Sequence, residues 1–164
     1  MFQVPKFKTR GYTLLETVVY VSILAVVIVL VIGSILSVYQ AFGKTRVERK
    51  LVLNGDVAME RIVREIRSAT STNVGASTLG SHPGILKFGS KKFSLSGDIL
   101  TVEYSPSPAE DLTSSDVEVT NLIFYREAST NSEIIKAELT LEAGSGIFKK
   151  SRTFYGSAVM RGAY

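Results

Sequence analysis

Gly11-Tyr12-Thr13-Leu14-Leu15-Glu16 leads into the run VVYVSILAVVIVLVIGSILSVY at residues 18–39, and the reading of this run decides the architecture. Apolar side chains occur around every face of it, where a surface helix of a soluble protein would keep them to one stripe. A helix over the run rises about 33 Å at about 1.5 Å per residue, close to the roughly 30 Å hydrocarbon thickness of a bilayer. Residues 17–43 carry no charge. Together these features predict a single membrane-spanning helical segment over residues 12–43.

Working outward, Lys6, Lys8 and Arg10 precede the run, and residues 1–11 contain no acid. The 164-residue chain has 19 Lys and Arg against 15 Asp and Glu, a formal charge of +4. Setting those three cations aside leaves a nearly neutral chain, so the basicity describes the N-terminal segment rather than a binding surface. A basic flank holds the N-terminus in the cytoplasm and puts everything after the span outside it. The run exceeds the roughly 7 to 15 apolar residues of a secretory signal, and no small-x-small cleavage site follows it. Glu16 stands at its border. A carboxylate carried to the centre of a membrane costs about 2.5 to 3.5 kcal/mol, which makes an acid here a candidate functional residue; the plainer reading leaves it among the lipid headgroups.

A short basic leader, then glycine, an aromatic residue, Thr-Leu-Leu-Glu and about twenty apolar residues resembles the class III signal of type IV pilins and of type II secretion pseudopilins. The resemblance implies that a prepilin peptidase cuts between Gly11 and Tyr12, removing residues 1–11 as a leader, and methylates the new amino terminus at Tyr12. Tyr12 stands where that family usually has phenylalanine. Glu16 becomes the fifth mature residue, with an assembly role: its carboxylate would pair with the amino terminus of a neighbouring subunit and set axial register. The small residues Ser22, Ala25, Gly33, Ser34 and Ser37 would let helices approach closely.

Past the span the pattern becomes amphipathic. Val47, Leu51, Ala58, Ile62, Ile66 and Ala69 recur mostly at four-residue steps, while Arg49, Lys50, Glu60, Arg61, Arg64, Glu65 and Arg67 take the other faces. Asn54-Gly55-Asp56 is expected to weaken or bend this helix, with Asp56 capping a restarted segment. Residues 69–81 read as a loop. The period then changes to two: residues 85–88, 92–95 and 99–104 form short strands turned at Gly89-Ser90 and Gly97-Asp98, residues 105–115 an exposed loop, and residues 117–126, 134–142 and 148–160 a second group of strands. The expected fold class is α+β, a long N-terminal helix with a transmembrane half and an amphipathic half packed on one antiparallel sheet or two smaller ones, with residues 44–164 as the extracytoplasmic, pilin-like domain.

Residues 58–69, AMERIVREIRSA, resemble the amphipathic segment of J-type minor pseudopilins, W-type minor pilins and their competence counterparts; residues 119–125 and the closing strand do so more weakly. The chain has no cysteine and one histidine, His82, which excludes disulfide scaffolds, thiolate metal sites and cysteine nucleophiles. His82 is read as a solvated loop residue. Gly144-Ser145-Gly146 and Gly89-Ser90-Lys91-Lys92 lack the spacing of phosphate loops and are read as hairpin turns. Glu110, Asp111, Asp116 and Glu118 lack an ordered calcium-loop motif. Lys87, Lys91, Lys92, Lys149, Lys150 and Arg152, near Phe88, Phe93 and Tyr155, are read as solvated strand lysines and arginine rather than a nucleic-acid face.

The resemblance therefore implies a structural subunit, not an enzyme and without a cofactor or metal. It would sit in the cytoplasmic membrane and, after assembly near a tip, in a pilus or pseudopilus. Its partners would be other pilin subunits, the prepilin peptidase and the inner-membrane assembly platform, with nucleic acid not expected. Two other readings stand beside it: a DNA-receptor pilin with the same anchor, and a single-pass enzyme or sensor unrelated to fibres, which would need a polar constellation in the outer domain.

Overall fold

Helix α1, Leu14–Ser68, runs as one uninterrupted α-helix in the computed structural model, which describes residues 13–129 and 132–161. The chain divides into two units, Met1–Phe42 and Gly43–Tyr164. In the first, every described residue is exposed except Glu16, which is half-buried. In the second, Leu51, Ala58, Met59, Ile62, Glu65 and Ile66 are buried. The four-residue steps in the sequence thus mark the stripe that enters the core, and each fully covered Leu or Ile there contributes about 1.5 to 3 kcal/mol over exposure.

The helix neither stops nor restarts at Asn54-Gly55-Asp56, and Asp56 caps nothing, contrary to expectation. Gly55 is buried against the ring of Phe154, and a Cβ there would fall well inside contact distance of that ring. Packing offsets the roughly 1 kcal/mol that glycine costs a helix. The fit is reciprocal. Gly156, two residues further along the strand of Phe154, leaves room for Met59, one turn further along the helix. A glycine on each element lets the other insert a large side chain.

Two antiparallel sheets complete the second unit. The first holds β1 (Leu86–Phe88), β2 (Lys91–Ser96), β3 (Ile99–Tyr104) and β4 (Ala109–Asp111) in that order. Its first two hairpins turn at Gly89-Ser90 and Gly97-Asp98, where the glycines have φ of 53° and 61° and no non-glycine residue has positive φ. That is the signature of a type II′ turn, and it explains the Gly-X order. β4 lies within residues expected to form only a loop, pairing Thr101 with Asp111 and Glu103 with Ala109. All three of its residues are exposed, so no apolar alternation announced it.

The second sheet holds β5 (Glu118–Ala128), β6 (Glu133–Ala143) and β7 (Lys150–Val159), with β6 central. A bulge between Val119 and Asn121 adjusts the alternation so that Val119, Leu122 and Phe124 all reach the core. β7 begins later than expected because Gly146–Phe148 forms a 3-10 turn. The region read as a loop after α1 also contains structure: a 3-10 turn at Val74–Ala76 and a bridge between Thr78 and Ile85. The α+β class, with one long N-terminal helix and two antiparallel sheets, stands.

Candidate functional site

Among the described residues one helix is long and apolar enough to cross a membrane, and its apolar part is residues 14–42. Its large apolar side chains are all exposed, from 47% at Val27 to 83% at Leu14. Three of its hydroxyls are nonetheless satisfied by the helix itself. Ser22 donates to the carbonyl of Val18 at 2.8 Å, Ser37 to that of Gly33 at 3.0 Å, and Thr17 to that of Leu14 at 2.8 Å. Turning each hydroxyl back onto its own helix removes the polar cost of an apolar environment. Gly33 has nothing within 4 Å of a would-be Cβ, so its lack of a side chain answers no packing need inside the chain.

Glu16 is the polar exception. Its amide donates to Thr13 Oγ1 at 3.3 Å, in the manner of a helix N-cap, and its Oε1 accepts from the Tyr20 hydroxyl at 3.1 Å. The Tyr20 contact follows from i,i+4 helical spacing and was missed in the sequence, where Tyr20 counted only as an apolar-run residue. Gly11 and Tyr12, the residues flanking the expected cleavage, lie outside the described residues.

The polar ties of the second unit also depart from expectation. Glu65, assigned to a polar helix face, is buried and joins α1 to the first sheet. Its carboxylate accepts from Lys91 and from the Tyr104 hydroxyl at 3.0 Å, with Arg61 Nε at 3.2 Å. Arg61 also donates to Tyr104 Oη at 2.6 Å. Burial opposes the charge on Glu65, but the hydrogen bonds from Lys91 and Tyr104 and both cations outweigh it and hold the carboxyl below its ordinary value. Glu133, likewise buried, accepts from Arg126 Nε at 2.8 Å; burial raises its pKa, Arg126 and Thr72 lower it, and the balance is downward. Glu48 ties α1 to β7 through Lys150 at 2.7 Å and Arg152 at 3.0 Å.

The cations read as solvated are therefore mostly paired: Lys91 with Glu65, Lys92 with Glu103 at 3.8 Å, Lys149 with Glu142 at 3.0 Å, and Lys150 and Arg152 with Glu48. His82 is exposed but not merely solvated. Its Nδ1 accepts the Leu122 amide at 3.0 Å, and with the amides of Gly80 and Gly84 on the carbonyls of Phe124 and Leu122 this lays the loop along the outer edge of β5. Asp116, one of the four acids weighed for calcium, is paired with Lys50 at 2.8 Å, and among the described residues no three His, Cys, Asp or Glu side chains converge as a metal site. Compared with protein-family models, curated proteins and solved structures, the chain matches none.

Proposed function

We propose that the chain is a minor pilin or minor pseudopilin, a structural subunit that is cut between Gly11 and Tyr12, stored in the membrane through residues 12–43, and assembled near the tip of a pilus or pseudopilus. The observation that carries this reading is the division of α1. One part buries a stripe in an α+β domain; the other is apolar on all sides, has its large apolar side chains exposed and bears a single carboxyl, Glu16, at its entrance. A plain anchor needs the apolar surface and has no use for the acid. A subunit that exchanges lipid for neighbouring helices uses both, since Oε1 is held by Tyr20 and the carboxylate retains capacity for a neighbour's amine.

The DNA-receptor reading is less well supported, because the strand cations that would meet phosphates mostly have carboxylate partners. Intact mass of the membrane-extracted chain, made with and without a prepilin peptidase, tests the proposal. The expected product begins at Tyr12 and carries one added methyl group; a start elsewhere in the presence of the peptidase removes the main support.

A further inference from the structure

The face of the second sheet turned away from α1 carries a shallow groove of about 500 Å³, lined by Tyr125, Glu127, Lys136, Glu138, Tyr155 and Ser157. Strand register fixes the arrangement. On β6, Lys136 lies between Tyr125 of β5 and Ser157 of β7, and Glu138 lies between Ile123 and Tyr155. The two tyrosines thus stand diagonally across the central strand, their backbones about 12 Å apart at the usual strand spacing and rise, with a carboxylate between them. Tyr155 is 74% exposed and Tyr125 40%.

The partners of Glu138 among the described residues are neutral. It accepts from Asn121 Nδ2 at 3.1 Å and from the Tyr125 hydroxyl at 3.4 Å. Lys136, the cation on the same face, is engaged at 2.7 Å by Glu127, and no ion pair to Glu138 occurs among the described residues. The Tyr125 hydroxyl is pushed above its ordinary pKa, first by desolvation and then by its neighbour Glu138.

The same molecule contains the filled counterpart. Against the first sheet, Tyr104 donates to Glu65 just as Tyr125 donates to Glu138, and there the pair holds cations: Arg61 lies 5.7 Å and Lys91 5.9 Å from the Tyr104 ring centroid, both paired with Glu65. A tyrosine face and a carboxylate side by side attract a cation by two mechanisms at once. On the second sheet the chain supplies the tyrosine and the carboxylate and adds a second ring, while Lys136, the cation lining the groove, is engaged by Glu127 and not by Glu138.

We infer that the Tyr125–Glu138–Tyr155 groove receives an arginine side chain from another protein, the guanidinium lying between the rings and pairing with Glu138. Arginine fits better than lysine because its planar group can stack on a tyrosine ring while presenting two N–H donors to one carboxylate. This inference is independent of the fibre assignment, since it uses only the second sheet.

The test is a titration of the full chain, in non-ionic detergent and with ring-labelled tyrosine, by N-acetyl-arginine amide and by its neutral isostere N-acetyl-citrulline amide. The arginine probe should shift the Tyr125 and Tyr155 ring resonances saturably, leave Tyr104 unmoved, and bind at least about fivefold more tightly than citrulline. Glu138→Gln should erase the difference between the probes, and Tyr155→Leu, at an exposed ring that leaves the fold intact, should weaken arginine binding. Equal response to both probes, an arginine preference that persists in Glu138→Gln, or no saturable shift would overturn the inference. N-acetyl-lysine amide binding as tightly as arginine would overturn the choice of arginine.

Discussion

The two parts of α1 share one backbone conformation and differ in what their side chains meet. Over residues 43–68 a stripe of Leu, Ile, Ala and Met is covered by the chain's own strands, and glycine, where it occurs at position 55, is filled by Phe154. Over residues 14–42 the apolar residues are more numerous, all are exposed, and the glycine at position 33 is unfilled. The lesson is that hydrophobicity by itself does not make a core. Residues 43–68 are stabilised by partners within the sequence, whereas the apolar part leaves its side chains exposed and, on our reading, meets first lipid and then other subunits.

The largest expected effect comes from separating them. The fragment Gly43–Tyr164 should partition to the soluble fraction, with helix and strand in its circular dichroism and a cooperative melt, while the full chain needs detergent. An unfolded fragment would break the comparison by making the apolar part necessary for the fold.

Next in size is the loss of the buried carboxylate. Glu65→Gln should destabilise the fragment by about 3 kcal/mol in denaturant titration, since it leaves Lys91 and Arg61 short of their counter-charge. The pH dependence follows from the direction of the shift. Glu65 and Glu133 both titrate below their ordinary 4.5 when folded, so their stabilisation is complete above that value and is lost as pH falls through the depressed folded pKa. Glu65→Gln should therefore flatten the acid limb of the stability profile below about pH 4.5.

The glycines sharpen the contrast within one residue type. Gly55→Val should cost about 2 to 3 kcal/mol by overpacking against Phe154, measured by thermal melting. Gly33→Val, in the full chain, should leave the melt of the second unit unchanged. The smallest effect belongs to the exposed i,i+4 pair of Glu60 and Arg64: Glu60→Gln should change stability by no more than about 0.5 kcal/mol, and less at high salt.

What could be read in advance follows the range of the interactions involved. The long apolar helix, the amphipathic stripe and the Gly-X hairpins were legible because each depends on neighbours a few residues away. Gly55 was misread as an interruption because its reason for existing, the Phe154 ring, comes from a strand near the other end of the sequence. Glu65 was misassigned for a similar reason. Its place beside Ile62 and Ile66 hinted at burial, but Lys91 and Tyr104, paired with each other across β2 and β3, become its partners only once the first sheet forms. β4 and the His82 contact gave no local signal, one being wholly exposed and the other resting on a backbone amide of β5. Of the candidate site, the acid at position 16 was conspicuous by its charge; its hydrogen bond to Tyr20 lay hidden in an apolar run.

The central claim is that the apolar part of α1 exists to be handed from lipid to neighbouring subunits, with Glu16 as the group that requires the exchange. Glu16→Gln tests it most directly, because the change keeps size and hydrogen-bonding capacity and removes only the charge that a neighbour's amino terminus would seek. With the assembly machinery present, the variant and the wild type should be compared for processed protein in the membrane and in the sheared fibre fraction. The account predicts normal insertion and cleavage, accumulation of processed variant in the membrane, and its depletion from fibres; incorporation at the wild-type level would contradict it.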